Sequence, residues 1–276
     1  MKGRSRSRRL FAVLLCWAYI FLWGCNTPAA QESFGDSAQS AEESPGESSS
    51  QESSYETIPS DGVLRMTVYM PESLNPLNVQ KPEEAQLLLT VFMPLVETDE
   101  EGRTAEGGIA EEWEVLADGY QVRLRIRQDV LWQDGARVSS QDVVYSLQAL
   151  RDAQTDHYWK GQLRSVTAVT AEESGDVLIS FSTPVDGERL GMLVVPVLPE
   201  HVYHVENPPE WEPVGSGPYK VDEYRAMREI RLLANPEYVG GEPLISEIRV
   251  EITRSEDAGE SAFAQGLMHI IYEEVP

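Results

Sequence analysis

The composition of the chain changes twice before residue 61, and these changes limit the folded part to residues 61 to 276. Residues 26 to 60 contain ten serines and seven acids, no Lys or Arg, and almost no large apolar side chain. Such a segment buries too little apolar surface to offset the entropy of ordering it. We therefore expect a flexible, extended tether over residues 26 to 60, followed by one large or two small domains.

The first 25 residues have the pattern of a targeting segment. Five basic residues between Lys2 and Arg9 precede an uncharged run of 15 residues, 10 to 24, which is the order found in a secretory signal. A membrane span needs about 20 apolar residues, so a signal anchor is the weaker alternative. The run ends in Leu22-Trp23-Gly24-Cys25, which resembles the lipobox of bacterial lipoproteins. Cys25 is therefore the predicted lipidation site, and either alternative places the body outside the cytoplasmic membrane, tethered to its outer face.

Charge and cysteine usage exclude several functions. The chain has 46 acids and 22 bases, a formal net charge of -24, and residues 26 to 276 alone carry -29 from 17 bases and 46 acids. Because binding to phosphates needs clustered Lys and Arg, we expect no nucleic-acid partner. Both cysteines, Cys16 and Cys25, lie in the first 25 residues. The body therefore has no disulfide, zinc-cysteine cluster or thiol nucleophile.

The periodicity of residues 61 to 276 predicts a mixed α+β fold. Apolar and polar residues alternate from Val63 to Met70, which predicts a strand, and Pro82 with two following acids predicts the start of a helix. Asp118-Gly119 joins two β-rich runs into a hairpin, and Ser139, Ser140 and Asp142 can cap the next helix. Further strands are predicted at residues 166–170, 177–181, 229–233 and 247–252, and a closing helix at residues 257–268.

Two short patterns in the sequence have residue types that could support catalysis or metal binding. His201 and His204 are three residues apart, so on a helix their side chains could bind a metal together with Glu200 and Glu206. The flanking prolines make a long helix unfavourable, and they favour a surface loop. The Gly-Ser-Gly run at residues 215–217 lacks the spacing of a nucleophile elbow and of a phosphate loop. It predicts a tight bend where two backbones approach closely, leading into a strand. We predict no enzyme activity, no metal and no cofactor.

Seven short motifs follow one another along residues 61 to 276. They are SLNP at 73–76, IAEEWE at 109–114, LRIR at 124–127, LWQDG at 131–135, SQDVVYSL at 140–147, VGSGPY at 214–219 and NPEY at 235–238. In this order and spacing the chain resembles the family 5 extracellular solute-binding proteins, the peptide- and nickel-binding components of bacterial ABC importers. Most of these residues have a scaffold role, as hairpin anchors, turns and helix caps.

The resemblance implies a fold of the periplasmic-binding-protein class, a type II clamshell. It implies a first lobe formed by residues 61–92 and 186–276, with a small second domain inserted at residues 93–185. In the family the ligand lies between two lobes and touches a loop after the first strand. Here that loop is residues 78–82, so Gln80 and Lys81 are the candidate ligand-binding residues by position. An ordinary surface loop is the alternative for each of them.

The chain departs from the family pattern in two places. Family members tend to have Gly-Glu-Ile-Asp-Ile at the segment that reads Gly-Leu-Met-His-Ile here, at residues 266–270, without an acid. Family members are also much longer, which implies that the second lobe is missing here. Three functions follow as hypotheses. The chain is the solute-binding lipoprotein of an ABC importer, for peptides above other solutes, with permease subunits and the membrane as partners. Alternatively it is a truncated or degenerate member that binds nothing, or an acidic surface interaction module.

Overall fold

The computed structural model describes residues 61–270 except 117, 155, 189 and 206. The predicted signal segment, tether and lipidation site at Cys25 lie outside these residues. The strands are β1 (Val63–Tyr69), β2 (Glu97–Thr98), β3 (Thr104–Ala105), β4 (Ala110–Val115), β5 (Gln121–Ile126), β6 (Val166–Ala171), β7 (Val177–Phe181), β8 (Tyr219–Arg225), β9 (Glu229–Ala234) and β10 (Glu247–Thr253). The helices are α1 (Pro82–Val91), α2 (Ser140–Asp152), α3 (Glu200–Tyr203) and α4 (Glu256–Ala264).

Two four-stranded sheets form the framework. The first sheet has the order β1-β10-β9-β8 and the second has the order β4-β5-β7-β6. In the first sheet β1 runs parallel to β10, and the other pairs are antiparallel. The second sheet is antiparallel throughout. The mixed α+β class predicted from periodicity is confirmed, while the division into a first lobe (61–92 and 186–276) and an inserted domain (93–185) stays a prediction.

Helix starts follow the local signals in the sequence. Pro82 opens α1 with Glu83 and Glu84 in the first turn, where the missing proline N–H costs nothing and the acids favour the helix dipole. At α2 the side chain of Ser139 accepts a hydrogen bond from the N–H of Asp142, whose carboxylate accepts from the N–H of Ser139. This reciprocal capping box satisfies two backbone donors that have no partner within the helix. Both predicted helix starts are confirmed.

The predicted hairpin and the predicted close approach are also confirmed. Gly119 sits between β4 and β5 with φ +73°, and its N–H donates to the carbonyl of Leu116 at 2.7 Å. A Cβ at Gly215 would lie 2.0 Å from the carbonyl oxygen of Val91 at the end of α1. Only a residue without a side chain fits there, and the segment continues into β8 at Tyr219.

The closing helix ends earlier than the pattern predicts. We expect residues 257–268 from the periodicity, whereas α4 covers Glu256–Ala264. Gly266 adopts φ +71°, its N–H donates to Phe263, and the N–H of Leu267 donates to Ala262. These two bonds form a Schellman motif, which terminates a helix at a left-handed glycine.

One continuous apolar core spans both sheets. It contains Val68 and Val250 from the first sheet and Leu124 and Ile179 from the second, all at most 2% exposed. Each fully buried aliphatic side chain of this kind contributes about 1.5–3 kcal/mol. Within residues 61–270, apart from the four gaps, no helix has the length and apolar character needed to cross a bilayer.

Candidate functional site

A cavity of about 410 Å³ opens at one end of the first sheet. Because β1 and β8 run in the same direction, their carboxyl ends lie at the same edge of the sheet. The loop after β1 and the loop after α2 meet there with residues 210–211 of the segment before β8, where Trp211 stacks on Tyr224 near the carboxyl end of β8. Its wall is formed by Glu72, Ser73, Asn78, Gln80, Asp156, Glu210 and Trp211.

The loop after β1 is shaped by its own short side chains. The hydroxyl of Ser73 accepts a hydrogen bond from the N–H of Asn75 at 2.8 Å. The side-chain oxygen of Asn75 accepts from the N–H of Leu77 at 3.0 Å, and its backbone carbonyl accepts from the N–H of Asn78 at 2.9 Å. Ser and Asn favour turns through such local bonds. The SLNP motif therefore folds the loop that carries the cavity residues.

Backbone hydrogen bonds join the three loops. The N–H of Leu74 donates to the carbonyl of Glu210 at 2.7 Å, and the N–H of Tyr158 donates to the carbonyl of Val79 at 2.8 Å. The ring of buried His157 lies 2.8 Å from the carbonyl of Leu150 in α2, which fixes the loop after that helix. Backbone contacts therefore join the three segments that form the cavity wall.

The two candidate ligand-binding residues have different positions. The side chain of Gln80 is exposed and lines the cavity. The ammonium group of Lys81 instead donates to the carbonyls of Tyr69 at 2.9 Å and Met70 at 3.2 Å, and it lies 4.9 Å from the centre of the Tyr69 ring. Lys81 therefore ties the start of α1 back to the end of β1, and we refer to this contact as the Lys81 clamp.

The Lys81 clamp includes a buried carboxylate. Glu84 is 2% exposed, and its Oε1 lies 3.4 Å from Nζ of Lys81. Burial raises the pKa of the Glu84 carboxyl, and the nearby Lys81 charge offsets part of this increase. The clamp also closes on Met70, a non-glycine residue with φ +35°. The positive charge of Lys81 is thus balanced within the framework.

Acidic and aromatic groups dominate the cavity wall. Its carboxylates belong to Glu72, Asp156 and Glu210, and no Lys or Arg contributes to the wall as far as the described residues show. The side chain of Glu210 accepts hydrogen bonds from the hydroxyl of Ser73 and from the amide of Asn78 at 2.8 Å. These bonds fix the position of the Glu210 carboxylate without neutralising its charge.

Trp211 forms an aromatic part of the wall. Its ring stacks on Tyr224 of β8 with 4.0 Å between ring centroids and an interplanar angle of 3°. Stacking of this kind fixes the orientation of the indole. The wall therefore combines a rigid aromatic surface with carboxylates and two amide side chains.

The two histidines have separate carboxylate partners on and beside α3. Nε2 of His201 lies 2.7 Å from a carboxylate oxygen of Asp134, while Nδ1 of His204 lies 3.3 Å from Glu200. Glu206 lies outside the described residues. Among those that are described, no group of three or more His, Cys, Asp or Glu side chains could hold a metal ion. The hydroxyl of Ser216 is buried, so it does not face solvent as a nucleophile would need to.

Of the residues in the cavity wall, the sequence predicts Gln80 as a ligand contact and places Asn78 in the same loop, residues 78–82. Ser73 belongs to a motif with a predicted scaffold role. The other wall residues are not predicted; they are Glu72, Asp156, Glu210 and Trp211. A tryptophan directly after Pro208, Pro209 and Glu210 was the available signal, because an aromatic residue in a proline-bounded loop has little core to join. Nothing local connects that loop with residues 72–80.

Solved structures with similar folds show the class of this architecture. The oligopeptide-binding protein AppA of Bacillus subtilis, solved with a nonapeptide, aligns with a TM-score of 0.64 at 21% identity, over 75% of this chain and 43% of AppA. NikZ of Campylobacter jejuni, solved with Ni(L-His), aligns with a TM-score of 0.63 at 20% identity, over 75% and 42%. The fold is that of the periplasmic-binding-protein class, type II, as the resemblance implied.

The sequence profile of the bacterial extracellular solute-binding proteins, family 5, matches residues 104–276. The chain belongs to this family, and the family resemblance predicted from the seven motifs is confirmed.

Two curated relatives illustrate the similarity. An ABC transporter peptide-binding protein of Brucella ovis is 28% identical over 170 residues, which are 58% of this chain and 32% of the relative. The peptide-binding protein YejA of Agrobacterium fabrum is 32% identical over 183 residues, 59% of this chain and 28% of YejA. The chain spans about a third of the length of the curated relatives it matches.

Proposed function

We propose that this chain binds peptides as the extracytoplasmic solute-binding component of an ABC importer and delivers them to permease subunits. Membership of family 5 supports solute binding, and relatives named for peptide binding support the solute class. The structural observation that carries the proposal is the cavity, whose wall is held by backbone bonds and exposes the amide of Gln80. Such a site can hold a solute against its amide and aromatic side chains.

The amide groups of the wall suit a peptide. Gln80 and Asn78 each carry a donor and an acceptor in one side chain, which matches the donor and acceptor of a peptide unit. The cavity volume of about 410 Å³ lies within the range of about 300–1,000 Å³ typical of small-molecule sites. We propose Gln80 as a ligand contact, and we propose for Lys81 a positioning role in addition to the predicted ligand contact.

Peptide binding is tested by titrating the purified chain with a library of tripeptides and measuring tryptophan fluorescence and heat. We expect saturable binding that Gln80→Ala weakens about threefold to tenfold, because one or two hydrogen bonds are lost. Gln154→Ala, in an exposed position outside the cavity wall, is the matched control and should bind as the parent does. Absence of any saturable signal would rule out the proposed function.

We further propose that Cys25 is acylated and holds the protein at the outer face of the cytoplasmic membrane. The supporting observation is the uncharged run that ends in Leu22-Trp23-Gly24-Cys25 after a basic segment. A fatty-acid analogue supplied to growing cells should label the protein, and Cys25→Ala should abolish the label. Cys16→Ala, which removes the other cysteine, should leave the label intact; a labelled Cys25→Ala protein would disprove the anchor.

A further inference from the structure

We infer that His157 is a pH-sensitive anchor of the cavity wall: when its ring takes up a proton, the loop after α2 separates from the loop after β1, and solute is bound less tightly. This inference rests on the proposed function, because it concerns the regulation of the same site. It follows from three consecutive residues. Asp156 lines the cavity, His157 is buried, and the N–H of Tyr158 donates to the carbonyl of Val79 at 2.8 Å.

His157 attaches this loop to α2 through a buried ring. The residue is 6% exposed, and its Nε2 lies 2.8 Å from the carbonyl oxygen of Leu150 in α2. Asp156, directly before it, is exposed. Val79, to which Tyr158 is bonded, lies between the wall residues at positions 78 and 80. Release of the His157 ring would therefore disturb wall residues on both loops.

The hydrogen bond to Leu150 fixes the neutral form of the ring. A carbonyl oxygen only accepts, so Nε2 carries the proton and Nδ1 carries a lone pair. Nδ1 is buried and has no hydrogen-bond partner within the described residues. A proton added at Nδ1 would create a buried charge and a buried donor without an acceptor, and both are costly. The ring has to turn toward water to hold a second proton.

Desolvation is the main influence on the charge of this ring. Burial lowers the pKa of the His157 imidazole below its ordinary value of 6.5. The hydrogen bond to Leu150 and the charge of Asp156 oppose this change, while the charge of Lys160 adds to it. Asp156 and Lys160 also lie 3.4 Å from each other, so their effects on the ring partly cancel.

The adjoining segments contribute no unpaired charge. Arg151 and Asp152, at the end of α2, pair with each other at 2.6 Å. In the loop after β1, residues 73–79 contain no titratable side chain. A charged His157 ring therefore finds no buried carboxylate among these neighbours to stabilise it.

The direction of the pH dependence follows from these contacts. In an opened loop the ring is hydrated and has its ordinary pKa, so below about pH 6.5 the opened loop binds more protons than the closed loop. Closure of the loop therefore weakens as the pH falls. At pH 5.5 an ordinary imidazole is charged about ten times more often than it is neutral, which sets the upper limit of the effect on the opening equilibrium.

Hydrogen exchange at the amide of Tyr158 measures this opening directly, because this N–H is bonded to Val79 and exchanges when the loop opens. Unfolding of the whole chain is less suitable, since Glu97 changes its stability in the opposite direction. Between pH 7.5 and 5.5 we expect the protection of this amide, corrected for intrinsic exchange, to fall about fivefold. The affinity of the full chain for Ala-Gln-Ala, measured by calorimetry, should fall about threefold.

Two histidine variants assign the effect. His157→Gln keeps an N–H donor for the carbonyl of Leu150 and cannot take up a proton, so both pH dependences should disappear. His204→Gln removes an imidazole whose side chain is 72% exposed and should leave both unchanged. If His157→Gln does not fold, an NMR titration of the unmodified chain decides, because the His157 ring should have a midpoint below pH 6.5. A midpoint at or above pH 6.5 would contradict the inference.

The outcomes also distinguish the inference from the proposed function. Protection or affinity that does not change with pH, or that changes equally in His157→Gln, would overturn the inference and leave peptide binding intact. Failure of Ala-Gln-Ala to bind at either pH would remove the proposed function and the regulation of binding with it.

Discussion

Acidic side chains have opposite surroundings on the second sheet and around the cavity. On the second sheet, Arg123 lies 2.7 Å from Glu172 and 3.2 Å from Glu114. Around the cavity, Glu72 and Glu210 lack such a partner within the part of the chain described by the structure. The comparison shows that arginine partners are distributed unevenly among the acids of this chain. On the second sheet the acids are paired with arginine, whereas the carboxylate of Glu210 is held by the hydroxyl of Ser73 and the amide of Asn78.

The largest expected effect is on the packing between the loop before β8 and the carboxyl end of α1. Gly215→Ala would place a Cβ 2.0 Å from the carbonyl oxygen of Val91, so the backbone of α1 or of the loop before β8 must shift. We expect a loss of about 4 kcal/mol in the free energy of unfolding, the size of severe overpacking. Denaturant unfolding followed by circular dichroism measures it.

Gly161→Ala is the matched control for this substitution. Gly161 precedes the turn that leads to the second sheet, has an ordinary negative φ of -63°, and would place its Cβ 3.9 Å from Arg164. We expect little change or a slight stabilisation. Equal effects of the two substitutions would show that Gly215 is no more tightly packed against α1 than Gly161 is against its surroundings.

The second effect, about 3 kcal/mol, concerns the Lys81 clamp. Lys81→Met leaves the carboxyl of Glu84 buried without its cation, which is costly for a buried pair, and it removes two bonds to backbone carbonyls. We expect a lower free energy of unfolding together with weaker peptide binding, because the loop after β1 loosens. Lys220→Met, at an exposed position of β8, should affect neither quantity.

A second substitution checks the cause of that loss. Lys81→Met combined with Glu84→Gln should regain part of the stability, since an uncharged amide is less costly to bury than a carboxylate. No recovery in the double variant would indicate that the charge of Glu84 is not what Lys81 balances.

A third effect, about 2 kcal/mol, concerns Glu97, a half-buried acid of β2 with no ion pair among the described residues. Burial raises the pKa of Glu97 from 4.5 to about 7. Between these two values the folded chain binds more protons than the unfolded chain, so the free energy of unfolding falls as the pH rises from 5 to 8. The full difference corresponds to about 3 kcal/mol, and partial exposure of Glu97 reduces it to about 2 kcal/mol.

Thermal unfolding at a series of pH values tests this dependence. Glu97→Gln should flatten the decline and raise the stability at pH 8, whereas Glu100→Gln, which is exposed in the adjacent turn, should leave the decline unchanged. A decline that persists in Glu97→Gln would assign the dependence to another group.

The smallest effect is expected on the second sheet itself. Arg125 is about half exposed and contacts Glu111 and Glu112, and exposed ion pairs contribute little because water and salt screen them. Arg125→Gln should change the melting temperature by less than about 2 °C and leave peptide binding unchanged. A large loss of peptide binding in this variant would contradict the separation between the second sheet and the cavity.

Local chemistry allowed several elements to be predicted from the sequence. Pro82 at the first position of α1, the Ser139–Asp142 capping box of α2 and the left-handed Gly119 of the hairpin are each decided by neighbours within about four residues. The end of α4 is also decided locally, by Gly266. The apolar periodicity predicts a longer helix because it does not take this glycine into account. The close approach of Gly215 was also predicted, although its partner, Val91, was not.

The cavity could not be predicted in the same way. Asn78 and Glu210 are hydrogen-bonded across 132 positions of sequence, and Trp211 obtains its fixed orientation from Tyr224 on a different element. These contacts depend on the first sheet, which brings the carboxyl ends of β1 and β8 to one edge, and on the segment before β8, which folds back to place Trp211 on Tyr224 at that edge.

Lys81 shows the same limit within a single loop. Its position next to Gln80 made both residues candidates, but only the folded backbone places the carbonyls of Tyr69 and Met70 within reach of its ammonium group. The sequence by itself therefore determined the class, the family and the locally capped elements, since these depend on short-range patterns. The tertiary structure decided which side chains share the cavity and which charges stay unpaired, because long-range sheet pairing sets the distances between them.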